Sequence, residues 1–101
     1  MKIAEVLRPD PTSLWALVRQ CGIEHVVGGF PRPASGDDLS GAEKPWHLEP
    51  LRKAQAAYSG GGFELAVIEA RPPMEKIKLG LPGRDEEIDE VCALIRAMGV
   101  L

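Results

Sequence analysis

The hydrophobic residues of the chain fall into three short runs, and a segment with helical periodicity follows each run. The runs cover residues 3–7, 24–30 and 63–70. Short apolar runs bounded by turn-forming residues are typical of strands. The alternation of strand and helix predicts an α/β fold with parallel strands, arranged as three βα units over residues 1–22, 23–60 and 61–101.

The third run, FELAVIEA, is the most continuous, since only two glutamates interrupt it. It predicts a parallel strand buried on both faces, with Glu69 on the same face as Phe63, Leu65 and Val67. Two prolines and the turn sequence Leu81-Pro82-Gly83 follow, and neither a helix nor a strand pattern includes them. We therefore expect one long loop up to Arg84, before the last helix.

Three segments carry apolar residues at the spacing of a helix. Asp10 followed by Pro11 predicts the start of the first helix, and Gly22 predicts its end with a positive φ angle. Gly99 predicts the end of the last helix, after which the final two residues are expected to begin a fourth strand. The predicted buried positions are Leu14, Leu17, Val18 and Cys21 in the first helix, Leu48, Leu51, Gln55 and Tyr58 in the second, and Ile88, Val91, Cys92, Ile95 and Met98 in the third.

Composition limits the classes of function. The 101 residues are 45% hydrophobic and 27% charged with a formal net charge of -3, which is typical of a globular domain and argues against non-specific nucleic-acid binding. The chain has no apolar run long enough for a membrane span or a signal peptide, so we expect a cytoplasmic protein without membrane contact. Cys21 and Cys92 lack metal or redox spacing and are expected to be reduced packing residues.

Several motifs resemble the amino-terminal part of mannonate dehydratase. They are Pro45-Trp46, LAVIEA at 65–70, the proline pair at 72–73 and, most specifically, IKLGLPGRDEEI at 77–88. The opening LRPDP is also similar to one branch of that family. The resemblance implies an incomplete (β/α)₈ TIM barrel of the xylose-isomerase-like group, since three units are present where the family has eight.

The resemblance also implies an enzymatic activity. Members of the family are lyases that convert D-mannonate to 2-dehydro-3-deoxy-D-gluconate in hexuronate catabolism, with Mn²⁺ or Fe²⁺ held by His, Cys and Asp side chains of later strands. Those ligands have no counterpart in this segment, so no metal ligand and no catalytic residue is assigned here. Some members have a His after the third strand where this chain has Pro72-Pro73-Met74-Glu75, and any role of that His does not transfer.

Two long strand-to-helix loops are expected, one over residues 31–44 and one after the third strand. They indicate where a ligand binds, because parallel α/β folds bind ligands at the carboxyl ends of their strands. Arg8 after the first strand is a candidate for pairing with a substrate carboxylate, or else a surface residue. Glu69 at the end of the third strand is a candidate hydrogen-bond partner of a sugar hydroxyl, or else a solvated acid. Lys78 and Arg84 either bind the acid group or hold the loop by pairing with acids such as Asp85.

The isolated segment is expected to be inactive, and the expected ligand is a sugar-acid substrate. Three parallel strands leave an unpaired edge and an uncovered inner face, which predicts self-association or association with the remainder of the barrel. Two other functions are open: a free-standing α/β interaction module that oligomerises, and a sugar isomerase or epimerase of the same barrel group.

Overall fold

The computed structural model describes residues 1–32, 41 and 43–101, and a sheet of three parallel strands lies at its centre. The strands, in their order across the sheet, are β1 (Ala4–Leu7), β2 (His25–Gly28) and β3 (Glu64–Ile68). The helices of the described ranges are α1 (Ser13–Gln20), α2 (Leu48–Gly60), α3 (Glu75–Leu79) and α4 (Arg84–Val100). This order confirms the predicted α/β fold. Most of the loop expected over 31–44 lies outside the described residues.

One face of the sheet packs against the helices. Its core includes Leu7, Val26 and Phe63 from the sheet side, with Trp15 of α1 and Tyr58 of α2. Tyr58 is fully buried, and its hydroxyl donates a hydrogen bond of 2.6 Å to the carbonyl of Leu7. The indole of Trp15 stacks on the Tyr58 ring at a centroid distance of 5.4 Å. These contacts hold both helices against the carboxyl end of β1.

The opposite face of the sheet carries a row of three valines, of which the outer two are exposed and the central one is half-buried. Val6 pairs in register with Val27, which pairs with Val67. Val6 is 61% exposed and Val67 is 50% exposed. The prediction that β3 is buried on both faces is therefore wrong. In a closed barrel this face is covered by side chains of the strands across the barrel, which three strands alone do not supply.

A bulge in β3 changes which residues share a face. Val26 pairs with Leu65, whereas the next residue, Val27, pairs with Val67, so Ala66 is an extra residue in the third strand. Leu65 therefore packs against the helix-side core, while Val67 lies on the exposed face. The prediction that Phe63, Leu65 and Val67 share one face with Glu69 is wrong for Phe63 and Leu65, which both belong to the helix-side core, because simple alternation assumes an unbroken strand.

The second helix buries the expected face, but the first does not. In α2, Leu51 and Tyr58 are buried, as predicted. In α1, the buried residues are Trp15 and Val18, whereas Leu17 is 56% exposed. The predicted burial of Leu14, Leu17 and Cys21 is wrong, because α1 lies at the edge of the layer and buries only the side that meets the sheet and α2.

The last helix shows the same edge effect. Leu94 and Ala97 of α4 are buried against Trp46 and Leu51. Ile88, Ile95 and Met98 are exposed, and Val91 and Cys92 are only partly buried, so the predicted buried stripe is wrong. The helix α4 contacts α2 and α3, and the part of its apolar surface that faces neither helix stays exposed.

Helix boundaries also differ from expectation at two places. The first helix starts at Ser13 with Thr12 as its N-cap, not at Pro11, although Gly22 does adopt the expected positive φ of 76°. The last helix continues through Gly99 to Val100, so the final residues do not begin a strand in this structure. There the amide of Leu101 donates to the carbonyl of Ala97 at 3.3 Å, and Leu101 packs against the core around Trp46.

The segment after β3 is not one continuous loop, because it contains α3. A glutamate in the first turn of α4 stabilises this short helix: the side chain of Glu87 accepts a hydrogen bond of 3.1 Å from the amide of Ile77. Gly80 ends the helix with φ of 66°. A helix of five residues held by a partner ten residues away has too few periodic positions to be visible in the sequence.

Candidate functional site

The carboxyl ends of the three strands surround an open cavity of about 740 Å³. Each strand contributes an arginine from the segment that follows it: Arg8 after β1, Arg32 after β2 and Arg71 after β3. Asp10 and Glu75 also line the cavity. The structure thus brings cationic and acidic side chains together at the end of the sheet where parallel α/β folds bind ligands.

A second cavity of about 480 Å³ adjoins the first on the exposed valine face. Arg8 lines both cavities, and Glu69 lines the second one together with Val27 and Gly29. The amide of Glu69 donates to the carbonyl of Gly28 at 2.8 Å, which extends the pairing of β2 and β3 by one bond. This bond fixes the backbone of Glu69 at the mouth of the smaller cavity. The two predicted strand-end residues therefore share one site.

Lys78 and Arg84, the other two candidates, lie elsewhere. Lys78 is an exposed residue of α3, and neither side chain lines the two strand-end cavities. Arg84 begins α4, where Nε lies 3.9 Å from Oδ1 of Asp85 and Nη1 lies 3.5 Å from the carbonyl oxygen of Gly80. These contacts match the structural role that the sequence left open for Arg84, which is to hold its loop.

Sequence reasoning missed Arg32 and Arg71. Both lie in loops after the strands rather than at the last strand residue, so the strand-end rule did not select them. A signal was nevertheless present, because Arg8, Arg32 and Arg71 are each followed by a proline. Proline restricts the preceding residue to extended backbone geometry, which limits where that side chain can point.

The wall of the larger cavity includes Trp46, which is held by a partly buried network of hydrogen bonds. Its indole Nε1 donates to Oε2 of Glu90 on α4 at 2.6 Å, and Nε2 of His47 lies 3.2 Å from the same oxygen. The amide of Lys44 donates to Nδ1 of His47 at 3.2 Å, so Nε2 carries the proton in the neutral ring. His47 thus helps to position the cavity wall through Glu90.

The same network changes the acidity of Glu90. The hydrogen bond from Trp46 is the largest influence and lowers the pKa of Glu90, partial burial opposes it, and His47 lowers it further. Glu75, at the rim of the cavity, also has a lowered pKa, because its own amide and that of Met74 hydrogen-bond its carboxylate. Both carboxylates are therefore charged near neutral pH.

In residues 1–32, 41 and 43–101, no group of three His, Cys, Asp or Glu side chains is arranged to hold a metal ion. Within those same ranges, no helix has both the length and the apolar character needed to span a membrane. Cys21 and Cys92 are free thiols.

Three parallel strands with intervening helices and a polar cavity at their carboxyl ends define a wall of a TIM-type barrel. The sequence profile of the D-mannonate dehydratase (UxuA) family matches residues 5–101, and the chain belongs to this family. The resemblance inferred from the motifs is thereby confirmed.

Relatives and a solved structure agree with this family. Mannonate dehydratase of Thermotoga petrophila is 34% identical over 88 residues, covering 86% of this chain and 22% of the relative. The enzyme of that name from Geobacillus thermodenitrificans is 32% identical over 87 residues, with the same coverage. The crystal structure of mannonate dehydratase from Streptococcus suis serotype2 matches with a TM-score of 0.76 and 27% identity, over 99% of this chain and 27% of that one. The chain thus spans about a fifth of the length of these curated relatives.

Proposed function

We propose that this chain forms the first three βα units of a barrel that removes water from D-mannonate and yields 2-dehydro-3-deoxy-D-gluconate. Family membership supports the reaction class, which is that of a hydro-lyase. The observation that carries the proposal is the convergence of Arg8 and Glu69 on one cavity at the carboxyl ends of β1 and β3. That position is the one from which barrel enzymes contact their substrates.

In this proposal Arg8 binds the carboxylate of the sugar acid. A guanidinium group can donate two parallel hydrogen bonds to a carboxylate, which fixes its orientation. Removal of the proton on the adjacent carbon moves negative charge onto the carboxylate oxygens, and a nearby cation stabilises that charge. Arg8 therefore contributes both to binding and to the stability of the enediolate.

Glu69 orients the substrate in this proposal. Its carboxylate accepts hydrogen bonds from hydroxyl groups, and the backbone bond to Gly28 holds it close to the strand end. Lys78 and Arg84, which lie outside the two cavities, support the loop between β3 and α4 rather than contact the substrate.

The family resemblance implies Mn²⁺ or Fe²⁺, but the described residues do not fit such an ion. They include no suitable cluster of His, Cys, Asp and Glu side chains. The proposal therefore assigns no metal ligand to them, and no step of the reaction is ascribed to a metal at these residues. The residues proposed for this segment supply walls, a cation and a hydrogen-bond acceptor.

The exposed apolar surfaces support a proposal for what completes the site. Val6 and Val67 lie on the inner face of the sheet, while Leu17 and Ile95 lie on helices at its two edges. These are the surfaces that further βα units cover in a closed barrel. The same face supports a second candidate, an interaction module in which two copies of the chain cover each other. A cytoplasmic location is part of the proposal and agrees with the two free thiols.

A segment exchange tests the proposed function. This chain replaces the matching 27% of the Streptococcus suis enzyme, and D-mannonate consumption with added Mn²⁺ is followed by NMR. We expect product from the chimera, none from the 101-residue chain alone, and a loss of about tenfold or more in kcat/KM in the chimera with Arg8→Gln. The matched control Arg96→Gln, on the exposed side of α4, should retain the rate. A folded chimera that leaves D-mannonate unchanged contradicts the proposal, and turnover by the chain alone contradicts its inactivity.

A further inference from the structure

Arg8 has an acidic neighbour that has no role in the proposed function. Asp10 lines both the cavity of about 740 Å³ and the adjoining cavity of about 480 Å³. Among the described residues, Arg8 is the other charged residue that lines both. The chain bends at Pro9 and Asp10, directly after β1, and both charged side chains stay at the carboxyl end of that strand. A ligand bound by Arg8 therefore lies within reach of Asp10.

The carboxylate of Asp10 has no hydrogen-bond donor within residues 1–32, 41 and 43–101. No ion pair or side-chain hydrogen bond joins it to another residue of these ranges. Burial and, after it, the charge of Asp10 raise the pKa of Tyr58, yet the phenol donates its proton to the carbonyl of Leu7 at 2.6 Å. The oxygens of Asp10 are therefore available to accept hydrogen bonds from a ligand.

Glu75, the other acidic residue among the described lining of the larger cavity, is in a different situation. Its carboxylate accepts hydrogen bonds from its own amide and, at 3.1 Å, from that of Met74, and these bonds are the main cause of its lowered pKa. The charges of Lys78 and Arg71 lower the pKa of Glu75 further. Since Glu75 is already stabilised by amides and cations of the chain, Asp10 is the more available acceptor in this cavity.

A carboxylate beside a guanidinium group distinguishes between acidic ligands. It repels the like charge of another carboxylate, but it accepts strong, charge-assisted hydrogen bonds from hydroxyl groups. An acid without hydroxyl groups is therefore attracted by Arg8 and repelled by Asp10. A hydroxy acid is attracted by both, because its hydroxyl groups can lie between its own carboxylate and Asp10.

We propose that Asp10 makes this site specific for hydroxy acids by accepting hydrogen bonds from the hydroxyl groups nearest to the carboxylate that Arg8 binds. D-mannonate is such an acid, because every carbon after its carboxylate carries a hydroxyl group. The inference rests on the proposed function for the position of the carboxylate. It deepens that function by assigning the residue that recognises the hydroxyl groups.

Three monoanions that differ in their hydroxyl groups test the proposal. Binding of D-mannonate, L-glycerate and propanoate to the 101-residue chain is measured by NMR titration at low salt. L-glycerate and propanoate have the same number of carbon atoms, but only L-glycerate carries hydroxyl groups. We expect both hydroxy acids to bind about fivefold or more tightly than propanoate.

Asp10→Asn keeps the shape of the side chain and removes its charge. It should weaken the binding of D-mannonate and L-glycerate by about threefold or more, whereas propanoate should bind equally well or more tightly because the repulsion is gone. A variant that merely disturbs the fold would weaken all three acids. Asp10→Glu restores the charge and should restore part of the preference.

Asp89→Asn is the matched control for the loss of one negative charge. Asp89 is an exposed residue of α4 and lines neither cavity, so this variant should bind all three acids as the unsubstituted chain does. Arg8→Gln should weaken all three acids, because each of them has the carboxylate that Arg8 binds. Circular dichroism checks that every variant is folded.

The outcomes separate this inference from the proposed function. If Asp10→Asn leaves the affinity for D-mannonate unchanged or raises it, the inference is overturned, while the proposed function stands as long as Arg8→Gln weakens D-mannonate. Equal affinities of the unsubstituted chain for L-glycerate and propanoate also overturn the inference, as does an equal loss for all three acids in Asp10→Asn. If D-mannonate does not bind to the folded chain, the proposed function fails together with the inference.

Discussion

The chain has one tyrosine, and its environment makes a sharp prediction about stability at alkaline pH. Tyr58 is completely buried, and its hydroxyl donates a 2.6 Å hydrogen bond to the carbonyl of Leu7. Burial, helped by the negative charge of Asp10, raises the pKa of Tyr58 from 10.0 to about 12. The folded chain therefore holds the proton more tightly than the unfolded chain does.

The direction of the pH effect follows from this difference. Below pH 10 the phenol is protonated in both states, and its full contribution to stability is present. Between pH 10 and about 12 the unfolded state loses the proton while the folded state retains it, so the free energy of unfolding falls as the pH rises. A pKa difference of this size corresponds to roughly 3 kcal/mol once the pH exceeds both values.

Substitution Tyr58→Phe isolates the contribution of the hydroxyl. The ring still stacks on Trp15, but the buried carbonyl of Leu7 loses its partner, which should lower the free energy of unfolding by about 1–3 kcal/mol at neutral pH. The variant should also lose the phenol's share of the alkaline decrease, whereas the share due to lysines remains. Urea unfolding of both chains at neutral pH and across the alkaline range measures both effects.

Phenolate absorbance of the folded chain provides the direct assay, because only one tyrosine titrates. We expect a midpoint near 12 in buffer and near 10 in concentrated urea. A midpoint near 10 in the folded chain, or equal stability of the two chains at neutral pH, would refute the role given to this hydrogen bond.

Three further predictions concern other parts of the fold. A methyl group at Gly28 would lie 2.7 Å from the side chain of Leu65, so Gly28→Ala should lower the free energy of unfolding by about 1–3 kcal/mol. The control is Gly29→Ala, because a methyl group there would have no other atom within 4 Å. Equal melting temperatures of the two variants would contradict the packing around Gly28. Glu90 has a lowered pKa, so its ionised carboxylate contributes to the free energy of unfolding above the ordinary pKa of 4.5, and this contribution is lost as the pH falls through the pKa of the folded state. Glu90→Gln should therefore make the decrease in stability with falling pH less steep. An unchanged acid transition argues against the hydrogen-bond network around Glu90. Val67 is half exposed on the inner face of the sheet, so Val67→Asp should reduce self-association, measured by sedimentation, without loss of helix content. If the unsubstituted chain associates and the variant sediments in the same way, the chain associates through another surface.

The order of the elements could be predicted from the sequence, because strand and helix patterns are local. The position of Gly22 at a helix end, with positive φ, is an example in which the residue type alone determines the backbone. Burial could not be predicted equally well. Leu17 and Ile95 belong to regular apolar stripes, yet they are exposed because burial depends on neighbours that this part of the barrel does not supply.

Details that depend on distant contacts were also missed. The short helix α3 relies on the bond between Ile77 and Glu87, and the bulge at Ala66 depends on pairing with β2. For the site, Arg8 and Glu69 follow their strands directly, so the rule for parallel sheets identified them. Arg32 lies four residues beyond β2, and its place in the cavity results from the course of the loop rather than from strand alternation.

Backbone NMR of the chain during addition of D-mannonate tests the central claim most directly, since it reports where the ligand lies. We predict that the shifted amides cluster at the carboxyl ends of the strands, around Arg8, Gly29 and Glu69, and that Arg8→Gln reduces the shifts while Arg96→Gln does not. Shifts confined to the opposite ends of the strands, around Ile3 and Glu24, would contradict the assignment of this cavity as the substrate site.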